Sequence, residues 1–154
     1  MQIEKRLEEM GLRLLGKPSK AVGTYVGCVR TGNLVFLSGH GPRRPDGTLV
    51  TGQVGKDVTL EQANEAAKLT CVNLLTTLKE EIGDLDRVTR IVKVLGMVWA
   101  TTEFQDQPKV INGCSDLLVA LYGDRGKHAR SAVGMGSLPS GISVEIEMVV
   151  EVAV

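Results

Sequence analysis

The chain has 154 residues, 43% hydrophobic and 23% charged, which fits one soluble globular domain able to bury a continuous core without staples. Lysine plus arginine balances aspartate plus glutamate at 18 each, so no basic surplus draws nucleic acid, and five scattered aromatics (Tyr25, Phe36, Trp99, Phe104 and Tyr122) are too few to stack bases in number. Three cysteines, an odd count without a C-x-x-C, argue against a disulfide framework or a zinc site and read as reduced small hydrophobes.

The first predicted element is a short amphipathic helix. Ile3, Leu7, Met10 and Leu14 recur at helical spacing, and Gly11 or Gly16 ends the run. Residues 1–16 are therefore an N-terminal helical extension packed on a single domain, residues 17–154. Acidic residues interrupt this segment and no apolar stretch follows, so it is not a secretion signal, and Glu4, Glu8 and Glu9 disfavour a mitochondrial address. No apolar run approaches the roughly 18 residues that span a membrane. The expected location is the cytoplasm.

Tyr25–Val29 and Leu34–Ser38 predict a hairpin turning at Thr31-Gly32-Asn33. A Gly/Pro-rich loop follows from Gly39 to Gly55, with a short extended piece at Leu49-Val50. Thr59 and Gln62 form a T-x-x-Q capping box, opening a helix whose apolar residues step from Ala63 through Leu78 to Ile82 before Gly83 stops it. Val88–Ala100 is a near-continuous apolar run, read as a central strand covered on both faces. Gln107-Pro108 opens a second long helix that ends at Gly123. The segment from His128 to Val154 predicts two strands joined at Leu138-Pro139-Ser140-Gly141. In the second, Val144, Ile146, Met148, Val150 and Val152 point one way and Glu145, Glu147 and Glu151 the other. The order ββ–α–β–α–ββ predicts an α+β fold: a mixed sheet with both long helices on one face and partner subunits covering the other.

Arg130 leads directly into a strand of small apolar residues. Facing a carboxylate across the sheet, it would be a receptor for a small carboxylic acid, because its planar fork matches a carboxylate. On pattern alone Glu145 is one more solvent-facing strand residue, like Glu147 and Glu151, which read as ordinary surface. His40 and His128 lack ligand spacing, and Gly39-His40-Gly41 and Gly134-Met135-Gly136 open no helix in a phosphate-binding pattern.

Four segments carry a family resemblance: GNLVFLSGHGP (Gly32–Pro42), DVTLEQANEAAKLTCVNLLTTL (Asp57–Leu78), DLDRVTRIVKVLGMV (Asp84–Val98) and HARSAVGMGSLPSGISVEIE (His128–Glu147). From about Tyr25 to its C-terminus the chain resembles the Rid (YjgF/YER057c/UK114) family, in a bacterial branch apart from the best-studied members. The resemblance implies a chorismate-mutase-like (YjgF-like) fold, a homotrimer with pockets between subunits, and no cofactor or metal. It implies hydrolytic deamination of reactive 2-imino or enamine acids to 2-keto acids and ammonia, as by a 2-iminobutanoate/2-iminopropanoate deaminase. In that scheme Arg130 grips the substrate carboxylate, Glu145 orients the attacking water, and Tyr25, Gly39, Asn112 and Ala132 line the pocket. Ala132 stands where many members have cysteine, and GTYVGCV (Gly23–Val29) replaces the more usual G-P-Y-S-Q-A, which bears on substrate size. Two alternatives share the fold: a non-catalytic module binding small carboxylates, and an endoribonuclease or translation inhibitor, the latter disfavoured by the neutral charge.

Overall fold

A computed structural model describes residues 1–154. The elements are α1 (Gln2–Glu9), β1 (Cys28–Thr31), β2 (Leu34–His40), α2 (Leu60–Ile82), β3 (Val88–Trp99), α3 (Gln107–Tyr122), β4 (Ala129–Met135) and β5 (Val144–Val152). Local chemistry sets most of their ends. The Thr59 hydroxyl accepts the Gln62 N–H at 3.1 Å while the Gln62 side chain accepts the Thr59 N–H at 3.0 Å, a reciprocal cap that starts α2. Gly83, at φ +82°, ends it in a conformation that a side chain would resist. Gly32, at φ +59°, turns β1 into β2.

The strands form one sheet in the order β1-β2-β5-β3-β4. Every pairing is antiparallel except that of β3 with β4. A parallel pair needs a crossover, and α3 supplies it. The last two strands are therefore not a hairpin: β3 lies between β4 and β5, and the turn at Pro139–Gly141 carries the chain over its end. The period of two in the closing segment assigns faces to its residues but not neighbours, which is why the pair read as adjacent.

Both long helices lie on one face of the sheet. Val88, Ile91, Val94 and Val98 point into this layer and are fully buried, as are Leu74, Leu75, Leu78, Ile111, Leu118 and Leu121 from the helices. The opposite face of β3 is not covered within the chain, and it is there that the sequence reading puts partner subunits. Leu95, Met97 and Trp99 sit there half-buried, with exposed Phe36 and Val133 beside them. Their apolarity is what made the strand look two-sided. The α1 helix joins the same core: Ile3 and Leu7 are buried, and the Asp86 carboxylate accepts the N–H groups of Gln2 and Ile3 at 2.7 and 2.9 Å, satisfying donors that an isolated first turn leaves open. No helix is long and apolar enough to cross a membrane.

The two long helices touch through small residues. A Cβ at Gly113 would lie 2.0 Å from the Asn64 carbonyl oxygen, and backbone cannot yield as a flexible side chain can. Gly113→Ala is expected to lower stability by about 1–3 kcal/mol, towards the upper end of what overpacking costs. A lower urea midpoint at unchanged slope would show it; an unaltered midpoint would mean that the helices separate freely.

Candidate functional site

The candidate residues fall into two groups on opposite faces of the sheet. The first surrounds Glu145. A bulge between Leu37 and His40 interrupts the pairing of β2 with β5 and brings Gly39 against the Glu145 side chain. A Cβ on Gly39 would stand 3.0 Å from the Glu145 carboxyl carbon, so a side chain here would push that carboxylate away. Tyr25, Gly39, His40, Met97 and Glu145 line one cleft of about 690 Å³. Tyr25 is exposed, and its hydroxyl accepts the Val22 N–H at 3.2 Å.

Burial raises the Glu145 carboxyl above the ordinary glutamate value, and the negative charge of Glu147 adds to this. Glu147 is exposed, as the sequence reading has it, and also lines the same cleft, where two positions along β5 its charge makes Glu145 a better proton acceptor. His40 is occupied. Its Nδ1–H donates to the Ser38 carbonyl at 2.6 Å, which leaves Nε2 to accept the Thr77 hydroxyl at 2.8 Å. Burial lowers its pKa, against the opposing effect of the Ser38 bond, and favours the neutral ring. Its role is to pin the bulge to α2.

The second group is built around Arg130 on the edge strand β4. Arg130 Nη1 donates to Asn112 Oδ1 at 2.7 Å and to Ser115 Oγ at 3.1 Å, both on α3. His128 Nδ1–H donates to the Gly126 carbonyl at 2.7 Å, so in the neutral ring Nε2 accepts the Ser115 hydroxyl at 2.9 Å. That turns the Ser115 lone pairs towards Arg130. One end of the guanidinium is thereby fixed, and Nε and Nη2 remain to fork a carboxylate. Asn112 acts here through the arginine. Ala132, two residues on, is half-buried, pairs with Gly96 and packs against the core.

The structure does not bring Arg130 and Glu145 together within one chain. Arg130 is opposite Val94 on β3, on the helix side; Glu145 is opposite Met97, on the other side. Two strand spacings across and three residues along place their backbones about 10 Å apart in each direction, with side chains diverging. The expectation that the arginine faces the carboxylate across the sheet is corrected accordingly. Tyr25 and Gly39 go with Glu145, Asn112 and Ala132 with Arg130. Sequence reasoning missed Ser115 and Glu147: a serine on a helix and a glutamate on a half-exposed strand carry no signal until α3 and the cleft are placed.

Comparison with known proteins is consistent across sequence and structure. The family described as "YjgF/chorismate mutase-like, putative endoribonuclease" matches residues 4–148, reaching into α1 as well as the sheet. Protein TCP17 of Trypanosoma cruzi is 34% identical over 151 residues, covering 97% of this chain and 94% of its own. The crystal structure of Atu1372 from Agrobacterium tumefaciens, a protein of unknown function, superposes with a TM-score of 0.91 at 42% identity, over 99% of this chain and 93% of that one. A structure from Shewanella oneidensis described as a "putative endoribonuclease" gives 0.94 at 28% identity, covering 99% and 100%. RidA from an Antarctic Psychrobacter gives 0.60 at 26%, covering 88% and 94%.

Proposed function

The chain belongs to the YjgF/chorismate mutase-like family, and from that premise we propose that it hydrolyses 2-imino and enamine acids to 2-keto acids and ammonia. The observation that carries this reading is the state of Arg130. Asn112 and Ser115 hold one guanidinium nitrogen while the rest of the fork stays free at a sheet edge. Such a group is prepared for a carboxylate and has none within its own chain. Because the Glu145 cleft lies on the opposite face, a neighbouring copy supplies the complementary half. We assign the assembly as a homotrimer with its sites between subunits, the uncovered apolar face of the sheet being its inner surface.

The chemistry asks little of the protein. With the substrate carboxylate on Arg130, C2 of a protonated imine is already electrophilic. Glu145 takes a proton from water as the water oxygen bonds to C2, giving a carbinolamine. That proton passes to the amino nitrogen, the C–N bond breaks with its electrons leaving on ammonia, and Glu145 takes the hydroxyl proton as the O–H electrons close the ketone. An enamine first takes a proton at C3 to become the imine. Electrons balance without a redox partner, and Tyr25 bounds the cleft beside the reacting carbon.

The test generates imino acids with an amino-acid oxidase in the presence of semicarbazide and follows their capture. The protein is expected to slow capture in proportion to its concentration, with several small imino acids. If capture is unaffected for all of them while a keto acid binds tightly, the same pocket is a carboxylate-binding module and the catalytic reading is wrong.

A further inference from the structure

The Glu145 cleft opens at one end onto a second cavity of about 660 Å³, and the two share Ser19, Lys20, Val22 and Arg43. This second cavity is lined by five cationic residues, Arg13, Lys17, Lys20, Arg43 and Arg44, and by no carboxylate. In a chain whose charges cancel, that is a concentration of one sign. None of the five forms an ion pair; the salt bridges of the protein lie elsewhere. Arg43 Nη1 donates to the Gly47 carbonyl at 2.9 Å and Arg44 Nη1 to Thr48 Oγ1 and the Leu49 carbonyl, both at 3.2 Å. These neutral acceptors hold the guanidiniums without cancelling their charge.

The offset is uneven. Asp46 lies close to Arg44, with its carboxylate on the Thr48 N–H and hydroxyl. Arg13 and Arg44 also border a separate cavity that contains Asp57, Glu61 and Glu65. A third cavity, with Glu4, Glu8 and Glu80, shares Arg13 and the two neighbours of Lys17, Gly16 and Pro18; Lys20 and Arg43 line only the Glu145 cleft and the cationic cavity, whose carboxylates are Glu145 and Glu147. The cationic side chains therefore gather around Lys17, Lys20 and Arg43, in a concave wall of the kind that focuses the field of its charges.

We infer that the site takes 2-imino and 2-keto acids that carry a second anionic group, carboxylate or phosphate, at the end remote from C2, with that group seated on Lys20, Arg43 and Lys17. The inference rests on the deaminase reading only for the position of the first carboxylate. It assigns a substrate class: short dianionic acids over the apolar acids of the same length. The N-terminal segment contributes through Lys17 and Lys20, which gives residues 17–20 a role in specificity.

Calorimetric titration of the full chain at low ionic strength tests it, with 2-oxobutanoate and 2-oxopentanoate as monoanions, 2-oxoglutarate as the dicarboxylate, phosphohydroxypyruvate as the phosphate probe, and inorganic phosphate alone. The dianions are expected to bind about tenfold more tightly than the monoanions, an advantage that shrinks as salt is raised. The order of 2-oxoglutarate and phosphohydroxypyruvate identifies which anion the cavity favours. Lys17→Gln with Lys20→Gln, which removes no hydrogen bond of the fold, and separately Arg43→Gln, should each reduce the dianion advantage several-fold; Lys56→Gln, a charge change elsewhere equal to that of Arg43→Gln, should not. Equal binding of dianions and monoanions, or an advantage that survives both variants, overturns the inference, as does inorganic phosphate binding without competition from 2-oxoglutarate. Turnover of apolar imino acids with no dianion preference sinks this inference and leaves the deaminase reading standing. Tight dianion binding without turnover of any imine does the reverse.

Discussion

Arg130→Ala is expected to remove turnover of imino acids almost entirely while the protein stays folded and assembled. The loss is that of a charge-assisted, two-pronged contact to the substrate carboxylate, which typically costs about 2–5 kcal/mol when one partner is truncated, or roughly thirty-fold to several thousand-fold in kcat/KM. Folding should suffer little, because Asn112 and Ser115, the groups that Arg130 leaves behind, are only half-buried and can take up water. Arg130→Lys separates charge from shape: the ammonium keeps the attraction but cannot fork, so most of the loss should persist. The capture assay run beside sedimentation velocity decides it. Full activity in Arg130→Ala would remove the arginine from the mechanism; loss of assembly would make it a structural residue.

The second large effect belongs to Glu145→Gln, where activity and stability should move in opposite directions. The amide can still touch the water but cannot accept its proton, so kcat should fall by roughly 10²–10⁴, the usual worth of a positioned general base. The sign of the stability change follows from the raised carboxyl pKa, caused by burial and then by Glu147. Between the ordinary glutamate value of 4.5 and the higher folded value, the folded chain holds a proton that the unfolded chain has released. Stability is therefore full below that ordinary value and falls as pH rises through the folded one. At neutral pH the ionised Glu145 is a cost that glutamine removes. The variant should thus melt higher than the native protein at pH 7, and the difference should vanish below pH 4. A variant that is both inactive and less stable at pH 7 would mean that Glu145 holds the cleft together instead of acting in it. Glu147→Gln should lower the Glu145 pKa and shift the acid limb of the activity profile downwards.

Much of the fold was legible because its punctuation is local. The Thr59–Gln62 box, Gly83, Pro108 and Gly123 each decide a helix end through atoms a few residues apart, and those ends stand where the sequence places them. The arrangement of strands was not legible. Alternation tells which side of a strand is apolar, but nothing in residues 128–154 reveals that β3 slips between β4 and β5. The site followed the same division. Arg130 and Glu145 could be singled out by residue type and motif, whereas their separation onto opposite faces depends on the register of each against β3. The support of Arg130 by Ser115 and His128, and the pressure of Glu147 on Glu145, arise from contacts that no spacing encodes.

The opposite-face placement of Arg130 and Glu145 also bears on how damage to this protein is inherited. When each working seam takes its anchor from one copy and its base from another, the unit of function is a junction, not a polypeptide. A chain that has lost Arg130 still carries an intact Glu145 cleft, and a chain that has lost Glu145 still carries an intact anchor. Co-assembled, two individually inactive chains are expected to rebuild a complete junction between them, which activity regained on mixing Arg130→Ala and Glu145→Gln chains would show. On the proposed assembly, complementation between alleles is the expected result, and it would follow from which side of a strand each residue faces.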